Sequence, residues 1–169
     1  SYPYYSQKDS RWANSSYSQG DNKGTMGESG CGPTAMAMVA SKYSGKKMDP
    51  MQVAKDAKTS GYRDETGTNA GFMNYESDKL NLSHKEKSAP TAEYISKNVG
   101  NGKSMILNGV SVGGDGPFTS AGHYVVATGK DANGNIKIND PRGKEYSGSI
   151  SPDALARDSR IGWTFKKSN

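Results

Sequence analysis

The stretch Gly27-Glu28-Ser29-Gly30-Cys31-Gly32-Pro33-Thr34-Ala35-Met36-Ala37-Met38-Val39 constrains this chain more than any other, and it holds the only cysteine. A turn of small residues runs directly into an apolar helical run. Pro33 suits the first helical position, where a missing N–H costs nothing. Gly32 is then expected near the N-cap, with Cys31 just outside the helix. A thiol there faces the positive end of the helix dipole, which favours thiolate over thiol. Gly30 and Gly32 are expected to leave room beside the sulfur for a substrate backbone. Set against this is the ordinary fate of a lone cysteine, burial as a small hydrophobe.

A chain of 169 residues most simply forms one domain with one core. The 22 Lys and Arg against 17 Asp and Glu leave a net charge of +5, which is spread along the chain. No basic, aromatic-interleaved strip of the nucleic-acid-binding kind is present. The diffuse positive balance fits attraction to an anionic polymer such as a bacterial wall, and equally fits simple solubility. One cysteine excludes an internal disulfide and a cysteine-based structural zinc site. No window approaches the ~18 apolar residues of a membrane span. The sequence opens on Ser1 without a visible signal peptide, so it reads as a mature form or as one domain, residues 1–169, excised from something longer. It is expected to be a monomer.

Residues 1–30 read as mostly irregular, with Tyr2-Pro3-Tyr4-Tyr5 extended and Trp12 as a packing anchor. A first helix is expected from about Pro33 to Ser44, ended by Gly45. A second opens at Asp49-Pro50 and stops at Gly61. A third is expected from about Thr68 through Leu80, and a fourth from about Pro90 to Gly100. The period then changes. Ser104–Leu107 reads as a short strand, and Ser111–Ala121 as a Gly-rich loop. His123–Thr128 reads as a strong strand, and Asp131–Asn135 as an Asn-Gly hairpin turn leading to the strand Ile136–Asn139. Lys144–Tyr146 and Ile161–Phe165 read as two further strands, with a short helix opening at Ser151-Pro152 between them. Helices followed by a mainly antiparallel sheet define an α+β fold. Asp131, Asn133 and Asn135 alternate like the start of a calcium loop, but the glycine falls one place early and no bidentate Glu follows. The hairpin accounts for them, so no metal and no cofactor is expected.

A cysteine nucleophile needs a base, and the base needs an orienting partner. Of the two histidines, His84 lies in Ser83-His84-Lys85-Glu86-Lys87 and reads as a solvated loop residue. His123 follows Gly122 at the mouth of an apolar strand, and Gly122 permits close approach of a ligand or backbone. The hairpin brings Ile136–Asp140 back along His123–Thr128, with Asp140 near the level of the histidine. Asn139 points to the opposite face, because side chains alternate along a strand. Asp140 is therefore the expected orienter, although an Asp before Pro141 also suits an ordinary turn.

Gly30-Cys31-Gly32-Pro33-Thr34 with Ala35-Met36-Ala37-Met38, then Gly122-His123-Tyr124-Val125-Val126, then Asn139-Asp140-Pro141, together resemble papain-like cysteine peptidases related to the leader peptidases of bacteriocin exporters. The nearer resemblance is to their C39-like branch, found in bacterial secreted, cell-wall and phage-borne proteins, and it spans Tyr5 to about Trp163. It implies a papain-like fold with the Cys31 helix packed on the sheet that carries His123 and Asp140. It implies Cys31 as nucleophile, His123 as general base and acid, and Asp140 as orienter. It also implies a glutamine that donates to the oxyanion. In papain-like enzymes this commonly lies six places before the cysteine, a position held here by Thr25. The segment Ser6-Gln7-Lys8-Asp9 with Trp12 resembles the glutamine segment of the C39-like branch, so Gln7 is preferred to Gln19.

Three functions follow as expectations. The first is a secreted or wall-associated, possibly phage-encoded, peptidase hydrolysing amide bonds in peptidoglycan peptides, with a cleft suited to small residues. Gly113, Gly114 and Gly116, in the loop before His123, fit such a cleft. The second is a processing peptidase acting on protein leaders. The third is a non-catalytic wall-binding module that kept the fold, against which the intact Cys31, His123 and Asp140 argue.

Overall fold

The computed structural model describes residues 2–168. Its centre is helix α2 (Cys31–Tyr43), whose residues from Gly32 to Ala40 are all buried. Ala, Met and Val line every side of it, as expected of a helix with no solvent face. A short helix α1 (Met26–Ser29) delivers the chain to it. α1 is opened by Thr25, whose hydroxyl accepts the Glu28 N–H while the Glu28 carboxylate accepts the Thr25 N–H. This reciprocal cap satisfies two donors that no helical carbonyl can reach. The expectation of irregular structure over residues 1–30 overlooked that Thr-x-x-Glu signal. Helix α3 (Pro50–Thr59) starts as expected, with Asp49 capping Gln52 and Pro50 in the first turn.

The third expected helix begins later than its sequence suggests. Thr68 belongs to a small hairpin, β1 (Arg63–Asp64) paired with β2 (Gly67–Thr68), and helix α4 runs from Gly71 to Lys79. The hairpin is held by the Arg63 guanidinium, which donates to the carbonyls of Tyr17, Lys23, Asp64 and Gly67. No local pattern in two-residue strands announces such a structure. Strand β3 (Ser83–Ser88) then forms one edge of the main sheet, and His84 sits on it, half-buried, with Nδ1 at 2.8 Å from Leu82 O. The solvated-loop expectation for His84 is corrected accordingly. The segment Ser-His-Lys-Glu-Lys-Ser has no apolar alternation because an edge strand can stay polar on both faces, which also discourages edge-to-edge pairing.

Helix α5 (Ala92–Asn98) is capped by Thr91 and followed by β4 (Lys103–Gly109). β5 (His123–Lys130) and β6 (Ile136–Asn139) form the expected hairpin. The Lys144–Tyr146 segment is a single 3₁₀ turn and not a strand. β7 (Gly148–Ile150) follows it, then α6 (Pro152–Asp158) and β8 (Ser159–Lys166). Glycines at 143 and 148, with φ of 152° and 148°, bracket that turn and interrupt any strand through it.

The six-stranded sheet has the order β3-β8-β4-β5-β6-β7, antiparallel throughout. Its alternating side chains divide between two cores. Ile106, Tyr124, Val126, Trp163 and Phe165 face α2, while Met105, Leu107, Val125, Ala127 and Leu155 of α6 form a second cluster on the other face. The result is a helix–sheet–helix sandwich with the cysteine-bearing helix pressed on the sheet. Full burial of Met36, Met38 and Val39 contributes about 1.5–3 kcal/mol each. That anchorage keeps the start of α2 in place, where an isolated helix end would fray.

Candidate active site

Cys31 is the first residue of α2, Gly30 is the N-cap, and Pro33 sits third in the helix. The expected start at Pro33 is thus two residues late. The difference is small chemically: the thiol lies within the first turn, and the Cys31 N–H has no carbonyl to bond inside its own helix. The two flanking glycines have a different reason from the one expected. A Cβ on Gly30 would stand 2.5 Å from Met26 O, and one on Gly32 would stand 2.6 Å from Thr68 Cβ. Both residues are buried, and neither lines the cleft. They let α1, α2 and the β1–β2 hairpin approach closely, instead of making room for a substrate. Gly122 does line the cleft, with a φ of 105° that favours glycine.

His123 opens β5, and its ring is 3% exposed. Its Nε2 lies 2.7 Å from Asp140 Oδ1, which leaves Nδ1 for the thiol. Cys31 is the other titratable group that acts on the imidazole. Burial opposes the charged ring, but Asp140 and Cys31 outweigh it and push the His123 pKa from 6.5 up to about 9. Cys31 is half-buried and lines the cleft. Burial of its surroundings favours the neutral form, yet His123 and the Tyr124 N–H together hold it below the usual thiol value. A thiolate paired with an imidazolium is a nucleophile with a proton donor beside it.

Asp140 lies just past the end of β6, fully buried. Desolvation raises its pKa, but His123 and Arg142 more than compensate and keep it a carboxylate. Arg142 is a residue that the sequence reading missed. Its Nη2 donates to Asp140 Oδ2 at 2.8 Å, its Nε lies 3.2 Å from both oxygens, and its backbone N–H donates to Oδ1 at 2.8 Å. The signal available was an Asp at a turn with an Arg two places on, which is common and carries little weight alone.

The turn that begins at Asp140 also secures the N-terminal segment. Tyr4 donates its hydroxyl to Asp140 O, and the Gln7 N–H and Ser6 hydroxyl donate to Pro141 O. Trp12 Nε1 donates to Ser6 O and its ring packs edge-on against Tyr5. Gln7 is thereby buried on the wall of the Cys31 cleft, where its Nε2 donates to Gly27 O at 3.0 Å and more weakly to Met26 O at 3.4 Å. Gln19 is exposed in the Gln19–Asn22 turn and does not line the cleft, and Thr25 caps α1.

The cleft has a volume of about 800 Å³. Cys31, His123 and Gln7 meet in it, and Gly27, Ser29, Gly67, Ala70 and Ala121 supply small wall residues. Asp131 accepts the Asn133 and Asn135 N–H groups as a turn residue. Among the described residues, no group of three or more His, Cys, Asp and Glu side chains is placed to hold a metal ion, and no helix is long and apolar enough to cross a membrane.

The profile of the Peptidase_C39 like family matches residues 1–160. The chain belongs to that family. This C39-like chain is therefore a cysteine peptidase, a hydrolase of papain-like fold. Its fold is similar to that of a putative C39-like peptidase from Bacillus anthracis, with a TM-score of 0.65 and 17% identity over 99% of this chain and 95% of that one. It is also similar to the peptidase domain of Streptococcus ComA, a bifunctional ABC transporter involved in quorum sensing. There the TM-score is 0.62 and the identity 17%, over 83% of this chain and 93% of that one. A third similar structure is a double-glycine motif protease from an AMS/PCAT transporter in complex with the leader peptide. Its TM-score is 0.58 and its identity 22%, covering 82% of this chain and 84% of that one. No curated protein sequence matches this C39-like peptidase closely enough to serve as a relative.

Proposed function

We propose that the C39-like peptidase hydrolyses amide bonds in bacterial cell-wall peptides, with Cys31 as nucleophile, His123 as base and acid, and Asp140 as orienter. The observation that carries the catalytic part is the buried 2.7 Å bond between His123 Nε2 and Asp140 Oδ1, behind a thiol at a helix start. His123 draws the proton from the Cys31 thiol, and the thiolate attacks the substrate carbonyl. The tetrahedral oxyanion takes the Cys31 N–H, which the helix leaves free. Gln7 supplies a second donor by exchanging its long contact with Met26 O for the oxyanion and keeping the shorter one with Gly27 O. His123 then protonates the leaving amine. Water, deprotonated by His123, opens the thioester and restores the thiol. Asp140 holds the ring in the tautomer and rotation that each step needs.

The wall-peptide assignment is supported by the small residues along the cleft, which suit short peptides of small side chains, and by the net charge of +5, which suits an anionic polymer. A secreted or wall-associated location goes with it. A second reading, leader processing, is favoured by the similarity to the double-glycine protease in complex with the leader peptide.

The test is digestion of purified peptidoglycan from several Gram-positive species beside a double-glycine leader peptide, with Cys31→Ala in parallel. New amino termini released from the wall by the intact protein alone would establish the wall substrate. Cleavage of the leader peptide only would move the assignment to the second reading. A Cys31→Ala protein that retained full activity would overturn the mechanism.

A further inference from the structure

Taking Cys31 and His123 as the reacting pair, as above, we propose that Arg142 is a positioning residue for the reaction: its guanidinium holds the Asp140 carboxylate in the rotation that points Oδ1 at His123 Nε2. A carboxylate beside a histidine is not oriented by that histidine alone, because one bond leaves it free to rotate about its own axis. Here both oxygens are held. Oδ1 accepts the Arg142 backbone N–H at 2.8 Å as well as the ring, and Oδ2 takes Arg142 Nη2 at 2.8 Å. Nε, 3.2 Å from each oxygen, keeps the two planes together. Only a planar fork can do this. An ammonium is a point charge and cannot set a plane.

Arg142 is itself anchored from two further directions. Its Nη2 also donates to Pro117 O at 3.2 Å, and its guanidinium lies 4.2 Å from the centre of the Tyr146 ring. Pro117 belongs to the loop that feeds His123 into β5, so one side chain ties the aspartate turn to the approach to the histidine. Its side chain is 22% exposed, against 1% for Asp140, so the guanidinium forms the solvent side of a buried pair. The charges also balance. With the proposed reacting pair ionised, thiolate, imidazolium, carboxylate and guanidinium sum to zero in a region where an uncompensated charge is costly.

Two roles for this cation predict opposite signs. A cation acting through space repels the proton of His123, so its removal would raise the pH at which His123 deprotonates. A positioning residue acts through Asp140, so its removal lets the carboxylate turn away, and His123 loses its proton at lower pH. The groups that face His123 are Cys31 and Asp140. Those around Cys31 include the Tyr17 and Tyr124 phenols, which burial keeps neutral throughout. Lys8, Glu28, Glu145 and Arg160 line the rest of the cleft.

The experiment is the pH profile of Cys31 alkylation by iodoacetamide, which needs no substrate. It compares the native protein with Arg142→Met, Arg142→Lys, Asp140→Ala and the Arg142→Met/Asp140→Ala pair. The limb set by His123 is expected to fall by about one pH unit in Arg142→Met, a roughly tenfold loss of proton affinity. Arg142→Lys, which keeps the charge and loses the fork, is expected to leave the limb displaced, and it carries the comparison if Arg142→Met does not fold. In the Asp140→Ala background the Arg142 change is expected to add nothing. A limb that rises or stays, or an equal shift without Asp140, overturns the role of Arg142 while the fast native thiol keeps the reacting pair standing. A native thiol inert below its ordinary pKa removes the reacting pair itself, and the role of Arg142 with it.

Discussion

Two aspartates bracket strand β6, and they start from the same local chemistry. Asp131, before the strand, accepts the Asn133 N–H two residues on at 2.9 Å. Asp140, after it, accepts the Arg142 N–H two residues on at 2.8 Å. Both are Asx turns, the ordinary use of Asp where a chain reverses. The first is complete in itself, since its second bond goes to Asn135 in the same turn. The second is completed from far along the chain, by His123, by Tyr4 on the carbonyl, and by the Gln7 and Ser6 donors on Pro141. An identical turn motif is scaffolding at one end of a strand and part of the proposed reactive centre at the other. What separates them is burial and the arrival of nonlocal partners.

The largest break in that comparison is Asp140→Ala. It takes the partner from His123 and from Arg142 together. We expect peptidase activity to fall roughly 10⁴-fold, as when a triad loses its orienter. We expect about 3 kcal/mol of stability to go as well, because half of a buried pair is left behind. Activity assay and urea titration check the two effects separately.

A smaller effect is the pH dependence of stability. The folded pKa of His123 is raised from 6.5 to about 9, so its contribution is complete below pH 6.5 and is lost as pH rises through about 9. The folded pKa of Asp140 is depressed below 3.8, so its contribution is present above that value and is lost as pH falls through the depressed one. Melting temperature should therefore decline on the alkaline side in the native protein, and Asp140→Asn should flatten that decline. An identical alkaline decline in both proteins would mean the histidine draws nothing from Asp140.

The smallest effect is expected from Asp131→Ala. Alkylation rate and cleavage rate should be unchanged, and the melting temperature should move less than for Asp140→Ala. A comparable loss of activity from Asp131→Ala would show that the β5–β6 turn reaches the site, and the contrast between the two aspartates would fail.

Much of this protein can be read without its coordinates. Apolar segments marked β4, β5, β6 and β8, the Asp-Pro start marked α3, and the Asn-Gly pair marked the hairpin, because each is a signal carried within a few residues. The apolar run after Cys31 could only be a buried central helix. The preference for Gln7 rests on a resemblance, and its place on the cleft wall comes from bonds to Pro141, more than a hundred residues away. The β1–β2 hairpin was hidden because the Arg63 guanidinium that holds it also reaches back to Tyr17 and Lys23, and β3 because its polar residues carry no periodic signal. The true reason for Gly30 and Gly32, the closeness of Met26 and Thr68, shows only in the packing. Sequence alone determined which residue types were available for chemistry and which of the longer apolar segments would be helix or strand, since propensity and periodicity are local. Only the tertiary structure decided that Gln7 lies on the wall of the Cys31 cleft and that Arg63 closes the β1–β2 hairpin, because hydrogen-bond geometry between distant segments depends on how sheet and helices pack.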